Sequence, residues 1–132
     1  MKKYLLPIFI SLPSIAFGAP DFPLDSNAKN FHQAMAIYYH QVYRAPETQE
    51  LWRDKSQIHL QNNSYFESAG CEKIASPEYV TVFLKTNEQG KISDVYTSSN
   101  TEKAKCIKKA FSGVQLNKPP IPHSYISMTY VP

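Results

Sequence analysis

Glu78-Tyr79-Val80-Thr81-Val82-Phe83-Leu84-Lys85-Thr86-Asn87-Glu88-Gln89-Gly90-Lys91-Ile92-Ser93-Asp94-Val95 is the stretch that decides the fold class of this chain. Val80, Val82 and Leu84 alternate with Tyr79, Thr81, Phe83 and Lys85, which is the two-residue period of a half-buried strand. Asn87-Glu88-Gln89-Gly90 then supplies a turn, with glycine where a positive φ costs little. The chain from Lys91 returns as a second strand built on Ile92, Val95 and Tyr96 or Thr97. Alternation on both sides of a glycine turn reads as an antiparallel hairpin.

Outward from the hairpin the period lengthens to that of helices. Phe31, Ala34, Met35, Tyr38 and Val42 recur at three- and four-residue steps, an apolar stripe that Asp25 or Ser26 is placed to cap and that Ala45-Pro46 ends. Pro46 suits the first turn of a second helix, with Glu47 and Glu50 near its positive end. Leu51, Trp52, Lys55, Ile58 and His59 give that helix its inward stripe, and Asn62-Asn63-Ser64 closes it. Residues 65–76 form a link that carries Cys71. After the hairpin, Asn100 or Thr101 caps a third helix that buries Ala104, Ile107, Ala110 and Phe111, while Lys103, Lys105, Lys108 and Lys109 read as its solvated face. Lys118-Pro119-Pro120-Ile121-Pro122 is a rigid connector, and Ile126, Met128 and Tyr130 alternate in a last strand. Two N-terminal helices followed by a β-β-α-β unit predict an α+β, two-layer domain with a small, mostly antiparallel sheet.

The first eighteen residues have the layout of a signal peptide. Lys2 and Lys3 give a positive start, residues 5–17 a short interrupted apolar run, and Ala16-Phe17-Gly18 the small residues of a cleavage site after Gly18. The expectation is a soluble periplasmic protein with no integral membrane anchor, whose residues 19–132 make one domain. Lys2 and Lys3 leave with the leader, so the formal charge falls from +3 to near neutrality. That balance does not suggest a nucleic-acid partner. The two cysteines, Cys71 and Cys106, read as one disulfide in an oxidising compartment.

From Glu78 onward the chain resembles the C-terminal domain of TonB-type proteins, in a stand-alone periplasmic variant. The residues that carry the likeness are Val80-Thr81-Val82-Phe83-Leu84, Gly90-Lys91-Ile92-Ser93-Asp94-Val95, Ser98-Ser99, the helix from Cys106 to Phe111 and Lys118-Pro119-Pro120. The resemblance implies a fold, and a mode in which an extended peptide pairs along an exposed sheet edge. It does not imply force transmission from a membrane motor, because the anchor and long proline-rich spacer of TonB itself have no counterpart in these 132 residues.

Catalytic constellations are missing from the sequence: no G-x-S-x-G, no H-E-x-x-H and no glycine-rich phosphate loop. His32 and His40 fall about 80° apart around a helix without further ligands, and His59 and His123 stand alone. Glu47 and Glu50 are explained by the helix dipole, while Glu67 and Glu72 flank Cys71 in the link. No metal, cofactor or enzymatic activity is therefore expected. Aromatic residues, 13% of the chain, are the more suggestive excess. Tyr79, Phe83, Tyr96, Tyr125 and Tyr130 are the candidate partner-binding residues, beside a sheet edge at 124–131 or 78–85. The alternative is that helices cover these aromatics as core. The expected function is a non-catalytic binding or adaptor protein that recognises a protein or peptide in the cell envelope; a periplasmic immunity protein or enzyme inhibitor is the alternative.

Overall fold

The structure, a computed structural model, describes residues 27–132. The expected leader at 1–18 and the expected caps Asp25 and Ser26 lie outside the described residues.

Helix α1 spans Phe31–Arg44, and its cap is Asn30. Asn30 is extended, and its side-chain oxygen accepts the Gln33 backbone N–H at 2.9 Å. Gln33 reaches back to the Lys29 N–H, just ahead of the cap, at 2.8 Å, so one donor of the first turn and one before it are satisfied reciprocally. Helix α2, Glu47–Asn62, starts directly after Pro46, with Glu47 and Glu50 in its first turn as expected. Its inward face is not the expected one. Trp52 is buried, but Leu51 and Ile58 are 55% and 54% exposed, and Lys55 also faces out. Gln49, Arg53, Ser56 and Leu60 turn inward instead. Arg53 and Gln57 meet strand carbonyls, so this helix is held by polar donors as well as by the buried Trp52 and Leu60. A short helix α3, Tyr65–Ser68, and a 3-10 turn, Cys71–Lys73, fill the link.

Strand β1 is Val80–Thr86, β2 is Ile92–Thr97, helix α4 is Glu102–Phe111 and β3 is Tyr125–Tyr130. All pairings are antiparallel and the strand order is β2-β1-β3. The α+β class follows the sequence pattern, but β1 is the central strand. The expected edge at 78–85 is therefore paired on both sides over the length of β1. The strand is also buried on both faces rather than one. Val80, Val82 and Leu84 pack with Ile126, Ile107 and Phe111 beneath α4, joined by Trp52 and Leu60 of α2. On the opposite face Phe83 and Tyr125 pack with Ala34 and Ile37 of α1. Helices on both faces make the arrangement three layers deep, which is why β1 carries large apolar groups at odd and even positions alike.

The disulfide joins Cys71 to Cys106 with a Cα–Cα distance of 5.6 Å. It fastens the turn after α3 to α4, and the loop it closes stabilises by roughly 3–4 kcal/mol in the chain-entropy picture. Beneath it, Phe66 stacks on Tyr130 with centroids 4.3 Å apart.

The hairpin turn is closed by Asn87, whose side-chain oxygen accepts the Gln89 and Lys91 N–H groups at 2.9 and 3.0 Å. Gly90 has φ +91°, and a Cβ there would sit 2.6 Å from the Leu116 carbonyl oxygen. That close approach exists because the chain after α4 returns to the hairpin, where Leu116 donates to the Gly90 carbonyl at 2.9 Å. Gly70, with φ +80°, has no such neighbour. Gly70→Ala should therefore lose only the left-handed backbone preference, about 1 kcal/mol, whereas Gly90→Ala adds a backbone clash and should lose about 3 kcal/mol. Urea unfolding of residues 19–132 measures both; equal losses would contradict the close approach.

Candidate partner-binding edge

Antiparallel pairing points the backbone groups of alternate residues away from the neighbouring strand. Thr86 donates to the Ser124 carbonyl at 2.9 Å, which fixes the alternation in β3: Ile126, Met128 and Tyr130 bond to β1, while Tyr125, Ser127 and Thr129 present their backbone groups outward. That outer edge is largely occupied by side chains. Gln41 of α1 is fully buried; its Oε1 accepts the Tyr125 N–H at 3.0 Å and its Nε2 donates to the His123 carbonyl at 3.0 Å. A primary amide carries one acceptor and two donors, so it substitutes there for a neighbouring peptide group. Arg53 Nε donates to the Tyr125 carbonyl at 3.3 Å, and Gln57 Nε2 to the Ser127 carbonyl at 2.9 Å. The Arg53 guanidinium also lies over the Tyr38 ring, 5.6 Å from its centroid. The expected edge at 124–131 is thus closed over its first half by α1 and α2.

The same alternation makes Val95 and Thr97 the outward residues of β2, because Ser98 donates to the Thr81 carbonyl at 2.9 Å and Phe83 faces Tyr96 in register; the register then slips by one residue at Ser93, a bulge opposite Lys85. The start of β2 is covered: Ile92 donates to Val114 and accepts from Gly113, at 2.9 and 3.0 Å. Beyond it, no hydrogen bond from another described residue reaches the outward backbone groups of Val95 and Thr97, which run beside α4 with the Val95 side chain itself buried. Ser93, Asp94, Val95 and Ser112 border an open groove of about 410 Å³, with Lys105, Lys108 and Lys109 on its far wall.

The five candidate aromatics are not brought together on one surface. Tyr79 is 60% exposed at the entrance to β1. Phe83, at 1% exposure, sits between Phe31 and Tyr38 with centroids at 5.2 and 5.3 Å. Tyr125 is fully buried beside it, so neither can touch a partner unless α1 leaves. Tyr96 is half-buried, and its hydroxyl donates to the Ala28 carbonyl at 2.8 Å, while the Ala28 N–H donates to the Tyr125 hydroxyl at 2.9 Å. The two tyrosines clasp the backbone just ahead of α1. Tyr130 lies on the other face, half-buried against Phe66. Lys103 is also misplaced by the sequence pattern: it is 2% exposed, donates to the Val131 carbonyl at 2.9 Å and lies 5.8 Å from the Phe66 ring centroid. The solvated face of α4 is therefore Lys105, Lys108 and Lys109.

Among the described residues no three His, Cys, Asp or Glu side chains come together as a metal site. His59 instead faces the Tyr65 hydroxyl at 3.4 Å, and Glu47 and Glu50 border a separate hollow with Leu51 and Asp54 on α2. Gln41, Arg53 and Gln57 are the residues that sequence reading passed over. Gln41 follows Ala34 and Ile37 on the buried line of α1, and a polar residue on an apolar line was the available signal. Comparison with protein-family models, curated proteins and solved structures gives no match.

Phe83→Ala should cost about 3–5 kcal/mol, and Tyr79→Ala less than about 0.5 kcal/mol, in chemical denaturation. A large loss at Tyr79 would mean that the entrance to β1 is packed rather than free. Burial raises the pKa of Tyr96, Tyr125 and Tyr130 above the ordinary value of 10.0. The folded state then holds phenolic protons that the unfolded chain releases. Their contribution is complete below pH 10 and falls as pH rises through the folded values. A tyrosinate absorbance titration should show a late-titrating set of tyrosines in the folded protein that reverts to ordinary titration on unfolding, and stability should drop as pH rises above 10.

Proposed function

We propose that residues 19–132 act in the periplasm as a non-catalytic adaptor, TonB-C-like in its second half, that takes an extended protein segment along the β2 edge. The observation that carries this reading is the asymmetry of the two edges: side chains of α1 and α2 occupy the first half of β3, while among the described residues nothing bonds the outward backbone groups of Val95 and Thr97 in β2. An uncovered strand edge is a template for another strand, and its main-chain hydrogen bonds supply affinity that side-chain neighbours then make selective. The disulfide supports an oxidising compartment, and no helix among the described residues is long and apolar enough to cross a membrane. The succession of hairpin, helix and final strand supports the resemblance carried by residues 78–132. Tyr79 and the half-buried Tyr96 stay in the reading as flanking contacts; Phe83, Tyr125 and Tyr130 leave it because they hold the layers together.

A photo-crosslinking residue placed at Thr97, Thr129 or Tyr43 in the producing cell tests the choice of surface. Crosslinking to one envelope or secreted protein from Thr97, and not from the other two, is the expected result. Crosslinking from Tyr43 on α1 with none from Thr97 would contradict the edge reading.

A further inference from the structure

Resting on the edge reading, we infer that the segment received by β2 is acidic, with carboxylates at alternate positions turned toward α4. A strand added beside β2 continues the alternation of the sheet, so every second side chain points to the face that holds Val95 and α4. There it meets Lys105, Lys108 and Lys109 across the groove. The carboxylates already present are matched one to one: Asp94 with Lys85 at 3.2 Å, and Glu102 with Lys105 at 3.3 Å. Among the described residues no carboxylate lies within ion-pair distance of Lys108 or Lys109. Their charge is therefore uncompensated beside the uncovered backbone. Lys105 and Lys109 are separated by about 6 Å of helix rise, close to the roughly 6.6 Å between alternate side chains of a strand.

The rest of the molecule sharpens this assignment. Acidic and basic residues nearly balance once the leader is removed, so the positive groove is local rather than a consequence of global charge. Lys103, the fourth lysine of the helix, is turned inward onto the Val131 carbonyl and adds nothing to the groove wall. A second copy of this chain is a poor occupant: two-fold pairing of β2 with β2 would set one lysine wall against the other. An acidic strand satisfies the backbone groups and the lysines together, and the charge term would also speed encounter and weaken with salt.

The test uses residues 19–132 with the disulfide intact and a short synthetic peptide that alternates threonine and glutamate. Two relatives serve as comparison: a threonine–glutamine peptide of the same length, and the glutamate peptide N-methylated at alternate residues, which keeps the charge and cannot form a ladder. Binding is read from backbone amide shifts in a two-dimensional NMR titration. The expected result is shifts centred on Val95 and Thr97, with affinity for the glutamate peptide about tenfold above that for the glutamine peptide. That advantage should vanish in Lys108→Glu/Lys109→Glu, whose melting temperature should be unchanged, and N-methylation should abolish binding. Equal affinity for the glutamate and glutamine peptides, with both lost on N-methylation, would overturn the acidic preference and leave the edge reading standing. Undiminished binding of the N-methylated peptide would overturn the edge reading and reduce the groove to an unselective anion surface. No response to any peptide, with Lys108- and Lys109-dependent binding to phosphatidylglycerol vesicles, would overturn both in favour of a lipid surface. No response to any probe would also overturn both.

Discussion

The buried amide of Gln41 is the contact on which the arrangement turns. It spans the His123 carbonyl and the Tyr125 N–H, both at 3.0 Å, at the point where the chain enters β3. Burying such an amide is favourable only when its donors and acceptors are met, and leaving one partner unmet costs about 1–3 kcal/mol. The bridge therefore fixes α1 against the start of β3 and sets which residues of that strand face outward. Arg53 and Gln57 continue the same role from α2. Together the three side chains act as a substitute for a fourth strand along the first half of β3.

Closing that stretch determines the character of the rest. With β2 and β3 flanking it, β1 has no free edge along its length, and with α1 and α4 on opposite faces it has no free face. Its Phe83 is as deeply buried as its Val82 and Leu84. Aromatic rings that stand out in the sequence are consumed by this double burial: Phe31, Tyr38 and Phe83 under α1, Phe66, Phe111 and Tyr130 under α4. The disulfide reinforces the α4 side, where the turn at Cys71 would otherwise be tied down only by packing around the short α3. Among the described residues, what remains open is the outward backbone of Val95 and Thr97 in β2 with the lysine wall beside it, and the end of β3 at Thr129.

The legible and illegible parts of this fold differ in range. The hairpin, its glycine turn, α4 and β3 follow from periods of two and 3.6 in nearby residues, and the cysteine pair follows from there being only two. Strand order has no local signature. Nothing in Val80 to Leu84 distinguishes a central strand from an edge, although large apolar groups at both Phe83 and Leu84 hint at two covered faces. The face of α2 is misread because apolar Leu51 and Ile58 define a plausible stripe, whereas the helix lies along carbonyls that require Arg53 and Gln57. Lys103 is misread for a similar reason: a long stem buries well when the amine finds an acceptor, here Val131. The candidate aromatics fail as a single surface because alternation in a covered sheet assigns them to two cores. The groove was half legible, as a lysine run, and its other wall depended on which edge of the sheet stayed open.

Native-state hydrogen exchange, residue by residue, tests the central claim most directly. The Tyr125 N–H lies on Gln41 inside the core, whereas the Val95 and Thr97 N–H groups lie on an edge that no described residue bonds. Tyr125 should exchange only with global unfolding, and Val95 and Thr97 should exchange orders of magnitude faster without it. Slow exchange at Val95 and Thr97 together with fast exchange at Tyr125 would reverse the assignment of the two edges and contradict the account.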